Sequence, residues 1–87
     1  MTYKKIDINQ PEIVKALRSA GASVQVLSAV GKGMPDVLVG YSGVNYLMEI
    51  KYEKGSLTPD QIVWHTDWLG KVFIVRTSQE AIRIIKP

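Results

Sequence analysis

The sequence predicts a single α/β domain whose mixed sheet carries helices on its faces. Three observations predict it. The chain has 87 residues, 46% of them hydrophobic, which suits one small folded domain rather than disorder. Helical and strand-like stretches follow one another in the order helix, strand, strand, strand, helix, strand, helix. At the centre, two apolar runs flank a Ser42-Gly43 turn, the signal of a β-hairpin. A core of this size is limited, so free edges or faces are open to cover by a second subunit.

Taken in order, residues 1–9 contain Tyr3, Ile6 and Ile8, enough for a short extended or docking segment. Pro11 suits the first position of a helix, with Asn9 or Gln10 as its cap and Gly21 as its end. Ile13, Ala16, Leu17 and Ala20 give that helix an apolar stripe facing the core. Glu12 stands in the first turn and has two readings. It is either a favourable charge at the positive end of the helix dipole or a carboxylate reaching a metal site.

Residues 23–30 read as a strand with Val24, Val26 and the Ala29-Val30 pair inward. Gly31-Lys32-Gly33 interrupts it as a plain turn or a cationic, phosphate-contacting loop. Pro35 fixes the backbone ahead of Asp36.

The hairpin strands are carried by Val37-Leu38-Val39 and Tyr46-Leu47-Met48, apolar on both faces as in central strands. If Ser42-Gly43 is a two-residue turn, Asp36 and Glu49 lie equally far out on either side and stand opposite one another. Opposed residues share a face, and Lys51, two beyond Glu49, shares it too. Leu38 and Leu47 fall on the same face, leaving the acids partly buried at its end.

Two carboxylates and an ammonium therefore converge. Like charges opposed across a strand pair are destabilising, and a bound divalent cation resolves the conflict. Hard oxygen ligands suit Mg²⁺ or Mn²⁺, with the ammonium beside an attacking water or a developing negative charge. The plainer alternative is a strand end whose Glu49 and Lys51 sit in solvent. The three residues together, in matching register, favour the ion site.

Beyond Lys51, residues 52–57 form a polar loop, and Thr58-Pro59-Asp60-Gln61 opens a second helix. Thr58 and Gln61 have the spacing of a capping box. Gln61 has a second role open to it, turned toward the metal site or a phosphate. Ile62, His65, Trp68 and Leu69 are spaced for a packed face, with Trp64 toward another side and Gly70 closing the helix. The two tryptophans serve either core filling or a contact surface. His65, the only histidine, reads as structural. Residues 71–76 form the last strand, and Ser78 caps a final helix containing Ala81, Ile82 and Ile85.

Composition excludes several chemistries. With no cysteine, disulfides, thiolate metal sites and cysteine nucleophiles are absent. No apolar run approaches a membrane span, and no signal-peptide pattern opens the chain, so a cytosolic protein is expected. A net charge of +3 is mildly favourable to a polyanionic partner, the nearest clusters being Lys4-Lys5 and Lys51 with Lys54.

The Gly33-Met34-Pro35-Asp36 box, the Glu49-Ile50-Lys51 triplet, and Leu57-Thr58-Pro59-Asp60-Gln61 followed by Trp64-His65 together resemble a VRR-NUC domain of the PD-(D/E)XK nuclease superfamily. The likeness runs from the helix carrying Glu12 to the strand after Gly70, and is to the minimal, stand-alone kind found in phages and bacteria. It implies a restriction-endonuclease-like mixed β-sheet flanked by helices, an αβββαβα core. It also implies a metal-dependent DNA endonuclease, similar to Holliday-junction resolvases, acting as a homodimer on branched DNA in a bacterial or phage-infected cytoplasm. By motif match Asp36 and Glu49 would be Mg²⁺ or Mn²⁺ ligands, the Ile50 carbonyl would add an oxygen, and Lys51 would position the water. Glu12 would supply a carboxylate from the first helix and Gln61 the glutamine of the helix that follows. Two rivals are a DNA-binding domain that does not cut and a protein-interaction module using Trp64 or Trp68.

Overall fold

The computed structural model describes residues 6–87. The expectations placed on Tyr3 and Lys4-Lys5 lie outside the described residues. The elements run α1 (Gln10–Ser19), β1 (Ser23–Val26), β2 (Val37–Tyr41), β3 (Val44–Ile50), α2 (Pro59–Asp67), β4 (Val72–Val75) and α3 (Ser78–Ile85). The αβββαβα order is the expected one. The four strands form one mixed sheet in the order β1-β2-β3-β4, antiparallel except for β3 with β4. A parallel pair needs a crossover, and α2 provides it.

The hairpin register follows the turn. Val37 pairs with Met48, Leu38 with Leu47 and Tyr41 with Val44, which leaves Ser42 and Gly43 as a two-residue loop. Their φ values of 50° and 80° are both positive, as a type I′ turn requires. Glycine meets that demand without strain, and serine meets it at modest cost.

One face of the sheet makes the core. Val37, Val39, Met48, Ile50 and Val75 are fully buried, joined by Ile13 and Leu17 of α1 and Ala81 and Ile85 of α3. α1 ends in a Schellman closure: Gly21 donates to Arg18 O and Ala22 to Leu17 O. On the opposite face Leu38, Leu47 and Val72 are half-buried and Ile74 is exposed. The hairpin is thus covered on one side, not both.

Three local expectations are corrected. β1 stops at Val26, because β2 begins at Val37 and offers no further rungs beyond the Leu27 N to Asp36 O bond (2.8 Å); residues 28–30 turn away and leave Val30 exposed. The side of α2 that turns inward carries Gln61, Trp64 and His65, while Ile62 and Trp68 are exposed and Leu69, just past its end, is 100% exposed. The cap of α3 is Thr77, whose hydroxyl accepts from Glu80 N, with Ser78 the first helical residue. No helix among the described residues is long and apolar enough to cross a membrane.

Candidate functional site

Side chains alternate along β3, so Met48 and Ile50 enter the core and Glu49 points the other way. Glu49 is nonetheless 0% exposed and Asp36 1%, while Lys51 is buried to 7%. Charged groups are rarely buried to this degree without partners. Partial burial was expected; burial is complete because the chain before β2 and the start of α2 close over this end of the hairpin.

Asp36 sits one residue before β2 and is held from both sides. Its main-chain oxygen accepts from Leu27 N, continuing the β1–β2 ladder, and its Oδ2 accepts from Ile50 N at 2.7 Å. The aspartate therefore meets β3 at the residue between Glu49 and Lys51. Lys51 N donates to Val75 O at 3.0 Å, which keeps the chain in register with β4 through the lysine. The three charged residues named by the sequence are brought to one end of the hairpin.

Gln61 closes the helix end as the capping box predicts and also reaches Glu49. Its Oε1 accepts from Thr58 N at 2.9 Å while Thr58 Oγ1 accepts from Gln61 N at 3.3 Å, completing the capping box. Its Nε2 donates to Glu49 Oε2 at 3.2 Å. One side chain closes the helix end and orients a carboxylate.

Gly33 explains how α2 reaches the acids. Its φ is +82°, and a Cβ there would collide with the Asp60 carbonyl oxygen and lie 2.7 Å from the carbonyl carbon. Only glycine lets the loop before Asp36 pass this close to the first turn of α2. The Gly-x-Pro-Asp spacing thus couples Asp36 to Gln61 through backbone contact.

Two further residues bear on the site. His65 stands one turn after Gln61 with Nε2 3.7 Å from Glu49 Oε1, so it lies beside the acid. The i, i+4 spacing from Gln61 carried that signal. Glu12 is exposed, and among the described residues no third carboxylate gathers with Asp36 and Glu49. A helix that buries Ile13, Val14 and Leu17 turns positions 12, 15 and 18 outward, and all three are exposed. α1 instead turns Asn9 and Gln10 inward. Gln10 Nε2 donates to Ser28 Oγ at 3.1 Å, and Asn9 Nδ2 to Lys51 O at 3.2 Å.

Among the described residues no three His, Cys, Asp or Glu side chains gather to cage a metal ion. Mg²⁺ does not require a cage. It commonly keeps several waters and takes one or two carboxylates plus substrate phosphates. Two buried carboxylates at a strand end are a donor set of that kind. Comparison with family models, curated proteins and solved structures returned no match.

Proposed function

We propose that this chain is a Mg²⁺- or Mn²⁺-dependent endonuclease that hydrolyses phosphodiester bonds in branched DNA, Holliday junctions among them. In this reading it acts as a homodimer in a bacterial or phage-infected cytoplasm. The observation that carries the reading is the Asp36 carboxylate bonded to the Ile50 amide, between a buried Glu49 and a buried Lys51. Two acids and a lysine buried at one end of a strand pair are a costly arrangement for a stability role alone.

Asp36 and Glu49 would hold the cation, with the Ile50 carbonyl as a further oxygen. The bound ion supplies Lewis acidity at the phosphate and a more acidic water. Lys51 would orient an attacking water and offset negative charge developing on the phosphate and leaving oxygens. Gln61 fixes the Glu49 carboxylate, and His65 lines its other oxygen. Lys32, in the loop beside the first turn of α2, and Lys54, after Lys51, are exposed cations for flanking phosphates. Glu12 has no part here and serves the end of α1.

The exposed Ile62, Val63, Trp68, Leu69 and Ile74 supply an apolar surface for the second subunit. The same surface favours the second reading, a protein-interaction module. Cleavage of four-way junction, flap, single-stranded and linear DNA across a metal series decides between them. The nuclease reading expects cutting of branched DNA with Mg²⁺ or Mn²⁺ and none in EDTA. Absence of both cleavage and DNA affinity at low salt would leave the interaction module. Affinity that persists in EDTA without cutting under any divalent ion would leave a DNA-binding domain. A sizing measurement tests the dimer.

A further inference from the structure

Asn9 occupies the cap position of α1, yet its side chain makes no capping bond. It is buried, and its Nδ2 donates to two main-chain oxygens distant in sequence: Lys51 O at 3.2 Å and Arg76 O at 2.9 Å. Those carbonyls directly follow the paired strand ends Ile50 and Val75. The Asn9 Oδ1 is buried with no hydrogen-bond partner. Its hydrogen bonds therefore join two strand ends instead of closing the helix.

Arg76 grips the same segment from its other end. Its Nη1 donates to Glu53 O at 2.6 Å and Gly55 O at 2.9 Å, and Gly55 N closes back on Tyr52 O at 2.9 Å. The five residues beginning at Lys51 are therefore tied at their first carbonyl by Asn9 and at their last by Arg76. A lysine carries its charge on a flexible four-carbon stem. Fixing its main chain restricts where the ammonium can go.

We propose that Asn9 is a positioning residue for Lys51, with Arg76 as its counterpart across the loop. The proposal rests on the nuclease reading, in which Lys51 acts beside the two acids. Misplacement of a reacting group by about 1 Å can lower a rate by about 10²-fold. A local rule broken without local gain, as at this cap, is a mark of a functional constraint.

The experiment compares wild type with Asn9→Ala, Asn9→Ser and Arg76→Lys in Mn²⁺-dependent cleavage of a four-way junction, well below each melting temperature. Amide hydrogen exchange is measured on the same proteins. The expected result for Asn9→Ala is a kcat lower by about 10- to 100-fold, with KM for DNA and Mn²⁺ affinity unchanged and faster exchange in residues 51–55. Asn9→Ser, which keeps a short donor, should lose less, and Arg76→Lys, whose ammonium cannot span both loop carbonyls, should fall between it and wild type. These two carry the test if the alanine protein does not fold. Full kcat in the folded variants, or unchanged exchange in residues 51–55, would overturn the role of Asn9 and leave the nuclease reading standing. Wild-type protein that cuts no DNA with any divalent ion removes both together, a result visible before any variant is assayed.

Discussion

The two sides of β3 are built on opposite principles, although one strand supplies both. Met48 and Ile50 face α1 and α3 in a wholly apolar core, where size and shape decide fitness. Glu49 between them is as deeply buried, but its neighbours are Gln61, His65 and the strand end carrying Asp36. Burial on the first side stabilises. On the second, burial of a charge opposes folding, and the hydrogen bonds that surround it only offset that penalty. The contrast teaches that depth alone does not identify a structural residue; what a buried group touches does.

The largest expected effect breaks function and spares the fold. Glu49→Gln and Asp36→Asn preserve shape and one acceptor oxygen while removing charge, and each should lower cleavage by about 10³-fold or more. Their melting temperatures should equal or exceed that of wild type, since a buried charge is relieved. Thermal melts beside cleavage assays read both. A melting temperature that collapses in the charge-neutral variants would make the acids structural and erase the distinction between the sides.

Met48→Ala is the converse. It should lower unfolding free energy by about 2–5 kcal/mol, measured by denaturant titration, with kcat per folded molecule retained. Loss of kcat in protein shown to be folded would mean that the apolar side transmits its packing to the site.

Gly33→Ala tests the join between the loop and α2. The left-handed backbone disfavours alanine, and its Cβ has no room beside the Asp60 carbonyl. A loss of about 1–3 kcal/mol is expected from strain alone. Because the clash pushes on the first turn of α2, cleavage should fall with it, through displacement of Gln61 from Glu49.

Much of this arrangement was legible in the sequence because it is local. The Ser42-Gly43 turn sets the hairpin register, and the register brings Asp36 to the end of β3 that carries Glu49 and Lys51. Thr58 and Gln61 announced their capping box for the same reason. What escaped depends on tertiary placement. The apolar spacing of Ile62, Trp68 and Leu69 pointed to a buried face, yet α2 turns Gln61, Trp64 and His65 inward to meet an acid. Asn9 is the cap residue the sequence offered, but its side chain bonds to residues 42 and 67 positions away, which no local spacing reports. Glu12 looked like a ligand because the first turn of a helix near a site admits one; the buried stripe on α1 turns it out.

The smallest effect separates the two duties of Gln61. Thr58→Ala removes the hydroxyl that accepts from Gln61 N and touches no charged group at the site. It should lower stability by about 0.5–2 kcal/mol with cleavage at saturating DNA unchanged. Gln61→Ala removes the bond to Thr58 N and also one donor to Glu49 Oε2. A similar stability loss is expected, joined to a partial loss of kcat, about tenfold for one charge-assisted hydrogen bond of roughly 1.5 kcal/mol. The two variants share the cap and differ at Glu49, so the difference in kcat isolates the contact with the acid. Equal kcat in both would assign Gln61 to the helix end alone, and Glu49 would then be oriented by the strand and His65 without it.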